Sequence, residues 1–118
     1  MNDIHPTIAE HFAAINRADA AGILATFADD ALLVDGRGER WGKDAIAKWV
    51  KKELIDDRVT IEIVEVIHHR GNAIVRARYE GIFDRANLPP EVVLTSYFRM
   101  EDAKIVELFL FLKRPNAE

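Results

Sequence analysis

The sequence predicts an α+β fold in which three helices pack on one face of a curved antiparallel sheet. Apolar residues recur at helical spacing as far as Leu54, and beyond it they alternate with a period of two. The helical segments therefore precede the strands instead of alternating with them, which is typical of an α+β protein. A chain of 118 residues has the length of one domain, 1–118, and can bury a single core.

Composition narrows the class of protein. Hydrophobic residues make up 49% of the chain and charged residues 31%, which is ordinary for a globular protein. The net charge of −4 argues against a nucleic-acid partner, and the absence of cysteine removes disulfides and thiolate sites. No apolar run approaches the ~20 residues of a membrane span. The N-terminus is polar and has no signal-peptide core, so we expect a cytoplasmic protein.

Three helices are predicted in the first half of the chain. The first, over 7–17, begins at a capping box formed by Thr7 and Glu10. Asp19 caps a short second helix, "AAGILATFA". After a short strand, "ALLVD", and a glycine-rich connection, "GRGERWG", the third helix is "KDAIAKWVKKEL". Its apolar face carries Ile46, Trp49, Val50 and Leu54.

Four long strands follow as two hairpins. "RVTIEIVEVIHHR" and "NAIVRARYEGIFD" are joined by a tight turn at Arg70-Gly71-Asn72. "VVLTSYFRME" and "KIVELFLFLKR" turn near Asp102-Ala103, and a proline-containing loop, "RANLPPE", separates the hairpins. The alternation predicts that the first of these strands has one face made of Val59, Ile61, Ile63, Glu65 and Ile67.

The last strand is apolar on both faces. Strict alternation places Val106, Leu108, Leu110 and Leu112 on one face and Ile105, Phe109 and Phe111 on the other. Because helices cover only one side of the sheet, something else must cover the second. We expect a homodimer packed sheet to sheet through the face that bears Phe109 and Phe111. A loop or the C-terminal tail is the alternative cover.

An acidic residue, Asp35, ends the short strand in "FADDALLVDGRG". One interpretation is that Asp35 caps the turn before Gly36, since aspartate favours turns. The other is that Asp35 is the working acid of a pocket, while Asp29 and Asp30 are turn residues.

The segment "FADDALLVDGRG…WGKDAIAKWV" resembles the NTF2-like superfamily, in particular its SnoaL-like and ketosteroid-isomerase-like branch. The resemblance covers nearly the whole chain and implies a cone-shaped (cystatin-like) fold with an apolar pocket. In the isomerase register Asp35 falls on the general base, and a carboxylate held there can shuttle a proton. His11 falls on the oxyanion-hole tyrosine, Val50 on the supporting tyrosine and Ser96 on the protonated aspartate.

Because these donors are replaced, an Asp35/His11 pair is the acid-base set that remains. The resemblance further implies that the pocket is lined by a set of mostly apolar residues: Phe12, Ile15, Phe27, Trp41, Trp49, Ser96, Phe98, Leu108 and Leu110. Trp41 is expected to roof the cavity, while Trp49 is either lining or plain core. For His11 the alternative is a partly buried helix histidine bonded to a neighbour.

Three functions remain open. The first is a protein that binds a small hydrophobic molecule and acts on it as an isomerase or dehydratase, with Asp35 as general base. The second is a non-catalytic ligand-binding or dimeric interaction domain. The third is an epoxide-hydrolase-like enzyme, for which Arg76, Arg78 and Glu80 share a strand face; alternatively they are a solvated or dimer-facing row paired with Glu62.

No cofactor or metal is expected. The sequence has no phosphate-binding glycine motif. His68 and His69 are adjacent in a strand, so they point to opposite faces and cannot chelate one ion together.

Overall fold

A computed structural model describes residues 4–84, 86 and 88–112. Its α-helices are Pro6–Asn16 (α1), Ala20–Ala25 (α2) and Gly42–Trp49 (α3), and α3 continues into a π-helical segment, Val50–Ile55. The strands are Phe27–Asp35 (β1), Gly38–Trp41 (β2), Thr60–His69 (β3), Asn72–Glu80 (β4), Val92–Glu101 (β5) and Lys104–Leu112 (β6). The predicted order of helices and long strands is confirmed.

The six strands form one mixed sheet in the order β2-β1-β6-β5-β4-β3. The four long strands β3–β6 pair antiparallel as predicted, and β1 pairs antiparallel with β2. β1 runs parallel to β6, so the prediction of an antiparallel sheet is wrong at this one pair. The segment predicted as a glycine-rich connection contains β2, which closes a hairpin on β1 with Gly38 opposite Asp35. The predicted turn residues Asp29 and Asp30 lie inside β1 and are exposed.

The helix starts differ from one another in how well the sequence predicts them. Asp19 caps α2 as predicted, because its Oδ1 accepts a 2.9 Å hydrogen bond from Gly22 N. The capping box of α1 is wrong. His5 is the N-cap and its Nδ1 accepts from Thr7 N, while Thr7 Oγ1 donates to Ala103 O on the β5–β6 turn. The hydroxyl of Thr7 thus ties α1 to the sheet.

Both predicted hairpin turns are confirmed. In the β3–β4 turn Arg70 and Gly71 have φ of 54° and 81°, the left-handed pair that a two-residue turn needs. Asp102 and Ala103 have φ of 51° and 61° in the β5–β6 turn. These turns set the register of the two long hairpins.

Two β-bulges move residues to faces that strict alternation does not predict. In β3 the register shifts between Ile63 and Glu65, so Val66 packs against the core while Ile67 is exposed. In β6 the shift opposite Arg99 and Met100 places Ile105 in the core, where it is fully buried. The predicted grouping of Glu65 and Ile67 with Ile61, and of Ile105 with Phe109, is therefore wrong.

The core lies between the helices and the inner face of the sheet. Its largest fully buried side chains include Ile8, Phe27, Leu33, Ile46, Phe98 and Leu108. The opposite side of the sheet, called the outer face here, carries Val34, Trp41, Ile74, Tyr97, Phe109 and Phe111. Within the described ranges, none of the helices combines the length and the apolar character that crossing a bilayer requires.

Candidate functional site

A cavity of about 540 Å³ opens at one end of the sheet. Its wall comes from the end of β1, the π-helical segment, the inner faces of β4, β5 and β6, and the loop after β4. The described residues that line it are Asp35, Arg37, Trp49, Lys52, Glu53, Leu54, Asp57, Val59, Tyr79, Phe83, Asp84, Leu88, Val92, Leu94, Leu110 and Leu112. The volume is in the range of small-molecule sites.

Asp35 reaches this cavity because it lies two residues beyond the buried Leu33, on the helix-facing side of β1. Its Oδ2 accepts a 2.8 Å hydrogen bond from Trp49 Nε1 at the end of α3. Arg40 Nη1 lies 3.5 Å from Oδ1, and the side chain of Asp35 is 16% exposed. The carboxylate is therefore held in one orientation at the cavity wall.

The turn-capping interpretation of Asp35 is confirmed. Oδ1 accepts a 2.9 Å hydrogen bond from Arg37 N, two residues on, which stabilises the β1–β2 turn. Each carboxylate oxygen has two lone pairs, so these contacts leave acceptor capacity for a ligand. The two interpretations are compatible in one residue.

A hydrogen bond joins the loop after β4 to the residues that follow the π-helical segment. Ile82 N donates a 2.8 Å hydrogen bond to Asp57 O. At Gly81 a Cβ atom would lie only 2.8 Å from the same oxygen, so the close approach requires glycine. The contact brings Phe83 and Leu88 to the cavity wall. Two residues of the predicted "RANLPPE" loop, 85 and 87, lie outside the described residues.

His11 lies in the core and is not among the cavity-lining residues. Its ring packs edge-on against Phe12, Phe27 and Phe98, with centroids 5.2, 5.6 and 5.4 Å away. Its Nδ1 lies 3.3 Å from Thr26 Oγ1, and Thr26 in turn donates to Ile23 O. Burial lowers the pKa of His11 from 6.5 to about 3. The ring is therefore neutral near pH 7, and no described hydrogen bond joins it to Asp35.

The other residues predicted to line a pocket separate into three groups. Trp49 and Leu110 line the cavity with Asp35. Trp41 does not roof it: the side chain is on the outer face, is 66% exposed and donates to Glu39 Oε1. The remaining residues are buried in the core and are absent from the cavity wall: Phe12, Ile15, Phe27, Ser96, Phe98 and Leu108.

Tyr79 lines the cavity, and the sequence analysis missed it. It follows Ala73, Val75 and Ala77 on the inner face of β4, and this alternation is the signal that could have found it. Burial raises the pKa of Tyr79 to about 12, although interaction with the Ser96 hydroxyl acts in the opposite direction. Tyr79 therefore keeps its proton at neutral pH and presents a hydroxyl in a mostly apolar wall.

Arg76 and Arg78 are on the outer face, away from the cavity. Arg76 Nη1 pairs with Glu65 Oε1 at 2.6 Å. Arg78 pairs with Glu62 across the strands, as the alternative interpretation predicted, and also with Glu91. These arginines therefore do not contribute to an epoxide-hydrolase-like site at the cavity.

Charged side chains line the mouth of the cavity. Arg37 Nη1, on the β1–β2 turn, pairs with Glu53 Oε2 at 3.2 Å across the opening. Lys52, Asp57 and Asp84 also line the cavity, and each retains some exposure. All the charged lining residues remain partly or fully accessible to water, so the buried part of the wall is left to apolar and aromatic side chains.

The described residues offer no metal centre. Groups of three or more His, Asp or Glu side chains placed to hold an ion are absent from them. His68 and His69 lie at the exposed end of β3, opposite Ala73 and Asn72.

Comparison with known proteins identifies the family to which this fold belongs. Residues 8–108 match the model of the SnoaL-like domain family. Among solved structures, a protein described as a polyketide cyclase from Sinorhizobium meliloti is 27% identical, with a TM-score of 0.82 over 92% of this chain and 95% of that one. No curated protein has a significant match.

Two more distant structures share the fold. The epoxide hydrolase/cyclase-like enzyme SalBIII, which has a role in pyran ring formation in the polyether salinomycin, is 21% identical, with a TM-score of 0.78 over 91% of this chain and 88% of its own. A protein described as a ketosteroid isomerase from Kribbella flavida is 9% identical, with a TM-score of 0.78 over 97% and 80%. The chain belongs to the SnoaL-like domain family, within the NTF2-like proteins of cystatin-like α+β fold.

Proposed function

We propose that the protein binds a small, largely hydrophobic molecule in the cavity and that Asp35 acts on it as a general base. The observation that carries the proposal is the position of Asp35: an oriented carboxylate in the wall of a cavity of about 540 Å³. The buried wall includes Leu54, Val59 and Val92, which suits an apolar ligand body. The helices and the inner face of the sheet would together enclose this ligand in a cone-shaped site.

The chemistry proposed for Asp35 is proton transfer of the isomerase or dehydratase type. Its carboxylate would take a proton from a carbon next to an electron-withdrawing group of the ligand and later return it. Trp49 would act as a positioning residue because its N–H fixes Oδ2. The core position of His11 gives no support to a direct role in this step, so Asp35 is the acid-base group of the proposal.

A thermal-shift screen followed by turnover assays tests the proposal. Wild type and Asp35→Asn would be screened with small apolar ketones, lactones, epoxides and steroids, since a ligand that binds the folded state stabilises it. We expect shared hits, with turnover only in the wild type. Asp30→Asn is the matched control, because Asp30 is exposed in the same strand. Equal turnover by wild type and Asp35→Asn would contradict the catalytic role.

A second candidate function is ligand binding without turnover. Both oxygens of Asp35 are already engaged, by Arg37 N and Arg40 on one side and Trp49 on the other. A carboxylate with these contacts can stabilise the residues around the mouth of a binding site. This candidate predicts tight ligand binding and no product from either wild type or Asp35→Asn.

A weaker alternative is epoxide-hydrolase-like chemistry. It draws support from the fold shared with SalBIII and from the 3.5 Å approach of Arg40 to Asp35. It requires a water activated next to this pair. Hydrolysis of an epoxide hit from the screen, absent in Asp35→Asn, would favour it over isomerisation.

The outer face supports a proposal for the quaternary structure. Phe109 stacks on Phe111 with ring centroids 6.5 Å apart, and Phe111 is 55% exposed. Exposed apolar surface of this kind is typical of a protein interface. We therefore propose a homodimer that packs outer face to outer face, in the cytoplasm, without nucleic-acid or membrane partners.

A further inference from the structure

Tyr79 differs from the other buried residues of the cavity wall because its side chain can donate a hydrogen bond to a ligand. The buried lining residues among those described are Trp49, Leu54, Val59, Tyr79, Val92 and Leu110. Of these, only Trp49 and Tyr79 carry a side-chain polar atom. The indole N–H of Trp49 is used on Asp35. In the described part of the buried wall, Tyr79 is thus the residue whose side-chain donor is available to a ligand.

Ser96 is on the same inner sheet face as Tyr79, and its hydroxyl is buried without a hydrogen-bond partner among the described residues. It is 1% exposed, and its Oγ makes no hydrogen bond with the described residues. Burial raises the pKa of Tyr79, and the nearby hydroxyl of Ser96 acts on that pKa in the opposite direction. Since a buried polar group without a partner costs free energy, this arrangement calls for an explanation other than stability.

The strand register places Tyr79 and Ser96 on the same inner face of the sheet. Tyr79 is opposite Val92, whereas Ser96 is opposite Val75, further along the same two strands. An interaction between the two hydroxyls therefore requires the ring to lie along the inner face of the sheet. Ser96 is buried in the core, whereas Arg37 and Glu53 pair at the charged mouth of the cavity.

Two neighbouring hydroxyl groups can act together to bind one ligand oxygen. A tyrosine or serine hydroxyl donates one hydrogen and also accepts. When a ligand accepts the hydrogen of Tyr79, the hydroxyl of Ser96, which makes no hydrogen bond with the described residues in this structure, can donate to the oxygen of Tyr79. A neutral carbonyl oxygen is the acceptor that suits such a donor, because a charged ligand group would lose its hydration in an apolar wall.

We propose that Tyr79, backed by Ser96, is a specificity-determining donor that selects hydrophobic ligands carrying a carbonyl oxygen at the end that enters the cavity first. The inference rests on the proposed function, since it names the ligand class for the same cavity. It also assigns a binding role to a residue outside the Asp35 end of the site.

Matched ligands test this selection. The dissociation constants of 2-tetralone and tetralin, which differ by the carbonyl, would be measured for wild type, Tyr79→Phe and Tyr97→Phe. Tyr97 is the control because it loses the same atom from the outer face. We expect Tyr79→Phe to weaken 2-tetralone binding about tenfold and leave tetralin unchanged, as for one hydrogen bond. Tyr97→Phe should keep the wild-type ratio.

Infrared spectroscopy adds a readout that a merely structural role would not move. The carbonyl stretch of bound 2-tetralone should lie at lower frequency in wild type than in Tyr79→Phe. Ser96→Ala should give an intermediate frequency and a smaller loss of affinity. An unchanged ratio and unchanged stretch in Tyr79→Phe would overturn this inference alone. Failure of wild type to bind either ligand would overturn it together with the proposed binding function.

Discussion

The indole Nε1 of Trp49 donates a 2.8 Å hydrogen bond to Asp35 Oδ2, joining the last residue of α3 to the last residue of β1. The helix layer and the sheet thus meet at the carboxylate of the candidate site. Because Trp49 is 8% exposed, water competes little for this bond. The hydrogen bond fixes which carboxylate oxygen faces α3.

Removing this bond should destabilise the fold. We expect Trp49→Phe to lower the free energy of unfolding by about 2 kcal/mol, since a bond to a charged group is lost and some volume with it. Urea denaturation measures the change. Trp41→Phe is the control, because its indole donates to the exposed Glu39 and should change stability by less than about 0.5 kcal/mol. Equal losses in both variants would contradict a structural role specific to Trp49.

Protonation of His11 should make the fold sensitive to acid. Its pKa is about 3 in the folded protein and 6.5 without burial, so the unfolded chain binds the proton first as the pH falls. The stability that neutral His11 provides is complete above pH 6.5 and is lost towards pH 3. The expected slope from this residue approaches about 1.4 kcal/mol per pH unit.

The stability of His11→Leu, measured by urea denaturation across this pH range, checks the prediction. The unfolding free energy of the wild type minus that of the variant should decrease as the pH falls. The wild type loses stability to protonation of His11, whereas leucine has no proton to bind. Ile46→Val, which changes a fully buried side chain that carries no proton, should keep the wild-type pH profile. A constant difference between wild type and His11→Leu would show that His11 does not titrate as proposed.

Gly81 should be intolerant of a side chain. Gly81→Ala places a Cβ atom 2.8 Å from Asp57 O and strains the bond from Ile82 N. We expect a loss of about 1–3 kcal/mol in stability and weaker ligand binding, because the loop that carries Phe83 shifts. Gly36→Ala is the matched control, since nothing lies within 4 Å of its Cβ position. Calorimetry of the two variants compares them, and equal melting temperatures would contradict the close contact.

The outer face should control the oligomeric state. Sedimentation analysis should give a dimer for the wild type, and Phe111→Glu should shift it to monomer by placing a charge in the interface. Ile82→Glu is the control: Ile82 is also exposed, at 69%, but lies in the loop beside the cavity. A wild-type monomer at micromolar concentration would contradict the proposed interface.

Local signals in the sequence predict much of this fold. Asp19 caps its helix and the Arg70-Gly71 turn forms, because both depend on neighbours in the chain. The bulges that turn Ile105 inward and Ile67 outward depend instead on pairing with distant strands, so alternation alone misplaces them. The α1 capping box fails for the same reason, since Thr7 bonds to Ala103.

The sequence likewise predicts the positions of some residues of the candidate site and not of others. Asp35 could be placed because it follows an apolar strand at a family motif, and the structure brings it to the cavity. His11 and Trp41 could not be placed, because which side of an element is buried depends on tertiary packing. The alternation of β4 gives Tyr79 the same inward direction as Val75, but it does not reveal that a cavity lies beside Tyr79.

A nitrogen–proton NMR titration tests the central claim of a ligand-binding cavity most directly. The chain has two tryptophans and so gives two indole signals. Trp49 lines the cavity, while Trp41 is on the outer face. On addition of an apolar ketone such as 2-tetralone, the Trp49 signal should shift and saturate while the Trp41 signal stays in place. An unmoved Trp49 signal, or equal shifts of both, would contradict binding in this cavity.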